Sequence, residues 1–272
     1  MSRRPVTAVA LILGIVSACS SGAAASLSPS SPGTAQPTDL TVYAAASLRD
    51  ALDEVKTAYQ GAFPGTTLTI GTDSSSALRT QIEQGAPADL FLSADRQNPQ
   101  TLVDAGLTDG KAVDFAGNLL TIVVPTDDRA GISSPADLAK PGVKIVAAGD
   151  EVPVTWYANQ AVANLAMLAG YPASFAEAYA ANIVSKEENV RAVVAKIELG
   201  EGDAAIVYVT DGKASSRVKT VEIPAAANAP ATYAGVVVKG SPNTQAAHTF
   251  LDWLAGPNGA AVLAAFGFLP PP

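Results

Sequence analysis

The sequence predicts an α/β fold in two lobes, each a mainly parallel sheet flanked by helices, with the binding site in the cleft between them. Three observations carry that expectation. Short apolar runs alternate with segments of helical period, and strand–helix–strand repetition argues for parallel sheets with crossover helices. The alternation occurs twice, in stretches of comparable size, with no short internal repeat. Polar residues collect at strand-to-helix junctions, and open α/β sheets hold their ligands beyond the carboxyl ends of the strands.

LTVYAAAS (40–47) reads as the first strand. The following LRDALDEVKTAYQG sets Leu48, Leu52, Val55 and Tyr59 three or four apart, a helix broken by Gly61 and Pro64. TTLTIGT (66–72) is a second strand, SSALRTQIEQG (75–85) a helix closed by Gly85, and DLFLSA (89–94) a third strand. The second series has strands at 119–125 and 143–149, a helix ending at Gly170, a helix over 188–200 and a strand over 203–210. Strands over 218–224 and 233–240 and helices over 244–256 and 259–267 complete the chain. Neither change of lobe carries a Pro- or Gly-rich linker, so strands themselves cross between lobes, near residues 117 and 232. Residues 39–117 and 232–272 then form lobe I, and 118–231 lobe II.

The N-terminus is of another kind. Arg3 and Arg4 precede an apolar run from Val6 to Val16, which meets Ser17-Ala18-Cys19. A basic start, a short apolar region and small residues make an export signal over 1–18, too short to span a bilayer. The single cysteine, Cys19, closes a lipobox-like pattern and is expected to carry a lipid once the signal is cleaved. Residues 19–38, rich in Ser, Ala and Pro, read as a flexible tether. The predicted localisation is therefore the outer face of the cytoplasmic membrane. With 25 acidic against 17 basic residues, net charge −8, the chain is a poor candidate for nucleic acid. A lone cysteine also removes disulfides from the fold, and no Cys or His cluster offers a metal site.

Four junctions stand out: Ser47 in AAASLRD; Ser74, Ser75 and Ser76 in TDSSSALR; Pro153-Val154 in GDEVPVTWYA; and Asn189-Val190 in KEENVRAVV. First turns of helices expose unpaired N–H groups and carry about half a positive charge, so several aimed at one point make an anion site without a cationic side chain. Taken singly, a serine at a helix start is more often a cap, and Asn189 and Pro153 are explained by helix initiation. Tyr208, in the strand AIVYVT, is by default a half-buried aromatic.

In order along residues 40–268, the strings VYAAASLRDAL, SSSALRTQIEQGAPADLFLSAD, GNLLTIVVP, GDEVPVTWYA, ENVRAVV and GDAAIVY resemble the periplasmic molybdate-binding proteins of ABC transporters. QIEQGAPADLFLSAD is the most specific of them. The resemblance implies a two-lobed type II periplasmic binding protein fold and five ligand contacts. These are Ser47 and Ser75 through hydroxyl and amide, Val154 and Val190 through backbone N–H, and Tyr208 through its phenol. Val154 stands where the family usually has a smaller alanine, and GTD departs from the usual lead into the serines. The implied ligand is molybdate or tungstate, with no cofactor. The implied partners are an ABC permease and its ATPase, with the binding protein a monomer and not an enzyme.

Two rival readings are weighed against it. Another oxyanion such as sulfate is possible within the same class of site. A secreted serine hydrolase using Ser47 or Ser75 lacks a G-x-S-x-G elbow, and its one imidazole, His248, lies far along the chain on an apolar helix. Arg49, Arg79 and Arg191 lie near helix starts, but helical spacing sends them to other faces. Asp127-Asp128 and Glu187-Glu188 read as solvated turns.

Overall fold

The computed structural model describes residues 38–272. The expected export signal, Cys19 and nearly all of the tether lie outside the described residues. Thr38, expected as the last tether residue, instead opens the first strand.

The first sheet has five strands in the order β2-β1-β3-β10-β4. They are β1 (Thr38–Ala45), β2 (Thr66–Asp73), β3 (Leu90–Ser93), β4 (Thr108–Asn118) and β10 (Ala231–Val238). β1 pairs in parallel with β2 and β3, while β10 runs antiparallel to both β3 and β4. Only β10 therefore opposes the common direction. Helices α1 (Arg49–Ala62), α2 (Ser75–Glu83) and α3 (Gln97–Asp104) follow the first three strands. The period read from the sequence explains α1: Leu52, Val55 and Tyr59 are its buried face, together with Ala51. Tyr59 stacks on Phe63 and meets Phe250 and Trp253 edge-on, which fixes α1 against α8 (Thr244–Ala255). α9 (Pro257–Ala265) packs beside them and the chain returns to β4, where Gly117 and Leu269 exchange backbone bonds of 2.6 and 2.8 Å. A Cβ on Gly117 would lie 2.8 Å from the Pro270 carbonyl, so only glycine allows that approach.

The second lobe uses β5 (Leu120–Pro125), β6 (Ile145–Ala148), β7 (Ile183–Glu187), β8 (Ala205–Tyr208) and β9 (Val218–Glu222). β8-β5-β9 form one sheet with β5 antiparallel to both neighbours, and β6-β7 form a parallel pair. A single parallel bridge, Ile145 to Ala204, joins the two pieces. The resulting order β7-β6-β8-β5-β9 repeats that of the first sheet, again with only the fourth strand reversed. Helices α4 (Pro153–Ala166), α5 (Phe175–Ala181), α6 (Val190–Glu198) and α7 (Val209–Ala214) cover it. β4 runs almost directly into β5, and the connection from β9 to β10 is held by Asn228, whose amide bonds both the N–H and the carbonyl of Leu120.

The structure departs from the sequence reading in several places. The strand expected over 203–210 ends at Tyr208, and Val209 onward is helical, so Thr210 and Asp211 lie in α7. The helix expected to reach Gly170 stops at Ala166. α3, β4, α5 and β7 were not singled out by the sequence, being short or only partly apolar. Glu187 is no solvated turn residue: it ends β7, and Lys196 bonds its carboxylate at 2.9 Å. Asp127 and Asp128 do form a turn, with Asp128 at φ 37° and Asp127 paired to Arg129. No helix among the described residues is long and apolar enough to cross a membrane.

Candidate functional site

The junctions singled out in the sequence converge. Ser47, Ser75, Val154, Val190 and Tyr208 all line one small cavity, with Ala45, Ala46, Ser74, Ala94, Val152, Pro153 and Asn189. Its lining contains no Lys, Arg, His, Asp or Glu.

Each donor is placed by local rules. After β1, residues Ala46–Leu48 make a single 3-10 turn that leads into α1, and this turn carries Ser47. At α2 the three serines divide the work. Ser74 is the N-cap, its Oγ accepting the Ala77 N–H at 3.3 Å. Ser75 opens the helix, and its Oγ accepts the Ala94 N–H at 3.0 Å, which leaves the Ser75 proton to donate. In the second lobe Pro153 occupies the first position of α4, where its missing N–H costs nothing, and Val154 follows it. At α6 the Asn189 Oδ1 accepts from Arg191 and Ala192 N–H at 3.1 Å each, so this cap does not occupy the Val190 amide. The first amides of a helix have no partner within it, so those of Ser75, Val154 and Val190 are available to whatever fills the cavity.

Tyr208 ends β8 and is 1% exposed, yet its hydroxyl has no hydrogen-bond partner among the described residues. A buried polar group left unpaired costs free energy, so an orphan at a cavity wall is a donor awaiting an acceptor. Burial, reinforced by Tyr233, Tyr157, Asp95 and Asp211, pushes its pKa well above the ordinary value, so the phenol keeps its proton. The ring is held edge-on between Tyr157 and Tyr233, at centroid distances of 6.3 and 5.7 Å.

Charged groups surround the cavity without entering it. Arg191 pairs across the lobes with Asp50 at 3.1 Å, Arg79 with Glu83 at 2.5 Å, and Arg49 donates to the Thr72 hydroxyl. Asp73 accepts from the Ser74 N–H at 2.7 Å and from Asn189 Nδ2 at 3.0 Å, tying the first turn of α2 to the cap of α6. Asp211, in α7, is buried, neither of its carboxyl oxygens has a hydrogen-bond partner among the described residues, and the Arg191 guanidinium is 4.0 Å away. Burial raises its pKa to about 7; Arg191 opposes the shift and Asp50 adds to it. His248 bonds Asp109 at 2.8 Å and lines no part of the cavity, so it is not a base for either serine. Among the described residues no group of His, Cys, Asp and Glu is placed to hold a metal ion.

Sequence reasoning missed Asp73, Asn118, Asp211 and Tyr233. Asp73 was noticed only as a departure before the serines. The other three sit in strands or short helices where nothing local distinguishes them from packing residues.

Residues 40–269 match the family of bacterial extracellular solute-binding proteins. The chain belongs to that family. It is 33% identical over 262 residues to the molybdate-binding protein ModA of Mycobacterium tuberculosis, covering 96% of this chain and 95% of the relative. Among solved structures, the periplasmic molybdate-binding protein of Azotobacter vinelandii superposes with a TM-score of 0.72 at 22% identity, covering 86% of this chain and all of that one. The sulfate-binding protein SubI of M. tuberculosis superposes with a TM-score of 0.76 at 20% identity, covering 86% and 87%. These likenesses give the fold: a two-lobed type II periplasmic binding protein, with the relatives solute-binding proteins and not enzymes.

Proposed function

We propose that this solute-binding protein captures molybdate or tungstate in the cavity between its lobes and delivers it to an ABC permease and its ATPase. The carrying observation is the orphaned Tyr208 phenol facing a cavity whose other polar walls are serine hydroxyls and helix-start amides. The name of the M. tuberculosis relative, a molybdate-binding protein, supports the same cargo. In this reading Ser47 and Ser75 donate from hydroxyl and amide, Val154 and Val190 from their amides, and Tyr208 from its phenol.

A set of donors without acceptors suits a fully deprotonated tetrahedral dianion. Hydrogen phosphate would leave its own proton unpaired in a dry cavity, at a cost of about 1–3 kcal/mol. Sulfate carries the right charge but is smaller. Donors fixed on helix starts cannot all follow it inward, and two bonds lost at about 1–3 kcal/mol each make tens-fold or greater discrimination. The net charge of −8 opposes approach, but at physiological salt fields fade over about 8 Å, so the local dipoles decide.

The protein works as a monomer, anchored through a lipid on Cys19 after removal of residues 1–18, with 19–37 as the tether. Lobe I takes 38–117 and 232–272, one residue more at its start than the sequence reading because Thr38 opens β1, and lobe II takes 118–231. Thermal melts with each oxyanion test the cargo: free ligand at about 1,000 times Kd adds about 4 kcal/mol to stability. Molybdate and tungstate raise Tm in this reading and hydrogen phosphate does not. A shift with sulfate alone would assign the cavity to the smaller anion.

A further inference from the structure

We infer that Asn118 and Tyr233 form a one-way hydrogen-bond relay that fixes the Ser47 hydroxyl as a donor into the cavity and so helps exclude protonated oxyanions. The inference rests on the proposed reading of the cavity as an oxyanion site. It adds two positioning residues that do not touch the cavity themselves.

The direction of the relay follows from which atoms can donate. Asn118 ends β4, where the chain passes toward β5, and its side chain is 1% exposed. Its Oδ1 accepts the Leu119 N–H at 2.9 Å, which fixes the orientation of the amide. Nδ2 therefore faces Thr210 Oγ1 at 2.9 Å and Tyr233 Oη at a longer 3.4 Å, and it can only donate. The Tyr233 proton finds no acceptor on that side. Tyr233 is fully buried in β10, and its other hydrogen-bond partner among the described residues is Ser47 Oγ at 2.8 Å. Were Ser47 to donate to Tyr233, the phenol proton would be stranded in the core, at the cost of an unmade hydrogen bond. The arrangement that satisfies every group has Tyr233 donating to Ser47, whose own proton then points to the cavity.

Other features agree. Burial, with Asp211 nearby, raises the Tyr233 pKa well above the ordinary value, so the phenol proton stays in place across physiological pH. The ring is clamped edge-on by Phe115, Tyr208 and Phe268, which leaves the hydroxyl little freedom to turn elsewhere. Asn118 and Tyr233 also lie where the chain passes between the two sheets, on the last residue of β4 and near the start of β10. The donor in the first lobe is thus oriented from the crossing strands and, through Thr210, from α7 of the second lobe.

Tyr233→Phe keeps the ring and removes the relay proton; Asn118→Asp replaces the terminal donor with an acceptor. In the second variant the Tyr233 proton turns to the new carboxylate, and Ser47, no longer held by the phenol as an acceptor, can turn either its proton or a lone pair to the cavity. The test is calorimetric titration of the mature protein and both variants with molybdate, followed by displacement of molybdate with inorganic phosphate at pH 8. The relay predicts that molybdate affinity falls about tenfold in each variant. It also predicts that the molybdate-to-phosphate ratio narrows in both. Equal weakening of both anions in Tyr233→Phe, with the ratio kept, would reduce Tyr233 to a packing residue and overturn the relay. If the unmodified protein binds no molybdate, the oxyanion reading itself falls and the relay with it. Tyr233→Phe binding like the unmodified protein removes the relay alone.

Discussion

In the first lobe, five strands pair without interruption and the junctions at their carboxyl edge present serine hydroxyls; in the second, the same strand order is assembled from a three-stranded and a two-stranded piece, and the junctions present valine amides and one phenol. The two sheets share the reversal of the fourth strand, so their helix starts aim at the same gap. They differ in what fills the first turn. Ser47 and Ser75 are legible as chemistry, whereas Val154 and Val190 are proposed to act through the backbone, and their side chains are buried with the core. The comparison teaches that a site of neutral donors needs no common residue type, only a common position at the start of a helix.

Removing the side-chain donors of the first lobe breaks the comparison most severely. The double variant Ser47→Ala, Ser75→Ala is expected to lower molybdate affinity by about 10²–10⁴-fold, two hydrogen bonds to a charged group at about 1.5–3 kcal/mol each. Calorimetry measures it. Ser75→Ala also orphans the buried Ala94 N–H, so its ligand-free Tm falls as well.

The second lobe is addressed through its backbone. Val190 is the first residue of α6, where proline is tolerated, and Asn189 already has the extended φ of −157° and ψ of 170° that a residue before proline prefers. Val190→Pro therefore deletes one N–H at little cost to the helix, with an expected loss of about 10–100-fold in affinity and a ligand-free Tm close to that of the unmodified protein. Unchanged affinity would remove α6 from the site.

Asp211 sharpens the comparison further, as a buried carboxyl without a hydrogen-bond partner among the described residues, 4.0 Å from Arg191. Its folded pKa of about 7 exceeds the ordinary 3.8, so the folded state holds the proton more tightly. The stability it supports is full below the unfolded value and is lost as pH rises through about 7. Asp211→Asn removes that slope. Urea unfolding should show the variant gaining on the unmodified protein between pH 4 and 7, to an advantage on the order of 4 kcal/mol at pH 8. A constant difference across that range would mean the carboxyl is paired or solvated in solution.

The smallest effect is expected at Arg79, which pairs with Glu83 and Asn98 and does not line the cavity. Arg79→Gln should change molybdate affinity by less than about threefold, in keeping with a surface charge screened by salt. A loss of tens-fold would show that a cation, and not neutral dipoles, holds the ligand.

Much of this was legible in the sequence because it is local. The period of α1, the caps Ser74 and Asn189, and Pro153 at a helix start are each decided by a few neighbouring residues. The family strings then point to one serine of the three at 74–76. What the sequence hid is set by distant pairing. Thr210 and Asp211 sit in a helix because the strand leaves its partner β5 after Tyr208, opposite Leu120. Tyr233 meets Ser47 across 186 residues, and Asn189 meets Asp73 across 116. No period or cap signals such contacts in a single chain, and a buried tyrosine in an apolar strand looks like packing until its hydroxyl is traced.

Convergence of neutral donors from both lobes on one deprotonated dianion is tested most directly by calorimetric titration of the protein with molybdate, sulfate and hydrogen phosphate in one buffer. Molybdate should bind at least about tenfold more tightly than sulfate, with hydrogen phosphate weaker still. Binding of hydrogen phosphate as tight as that of molybdate would contradict a donor-only cavity.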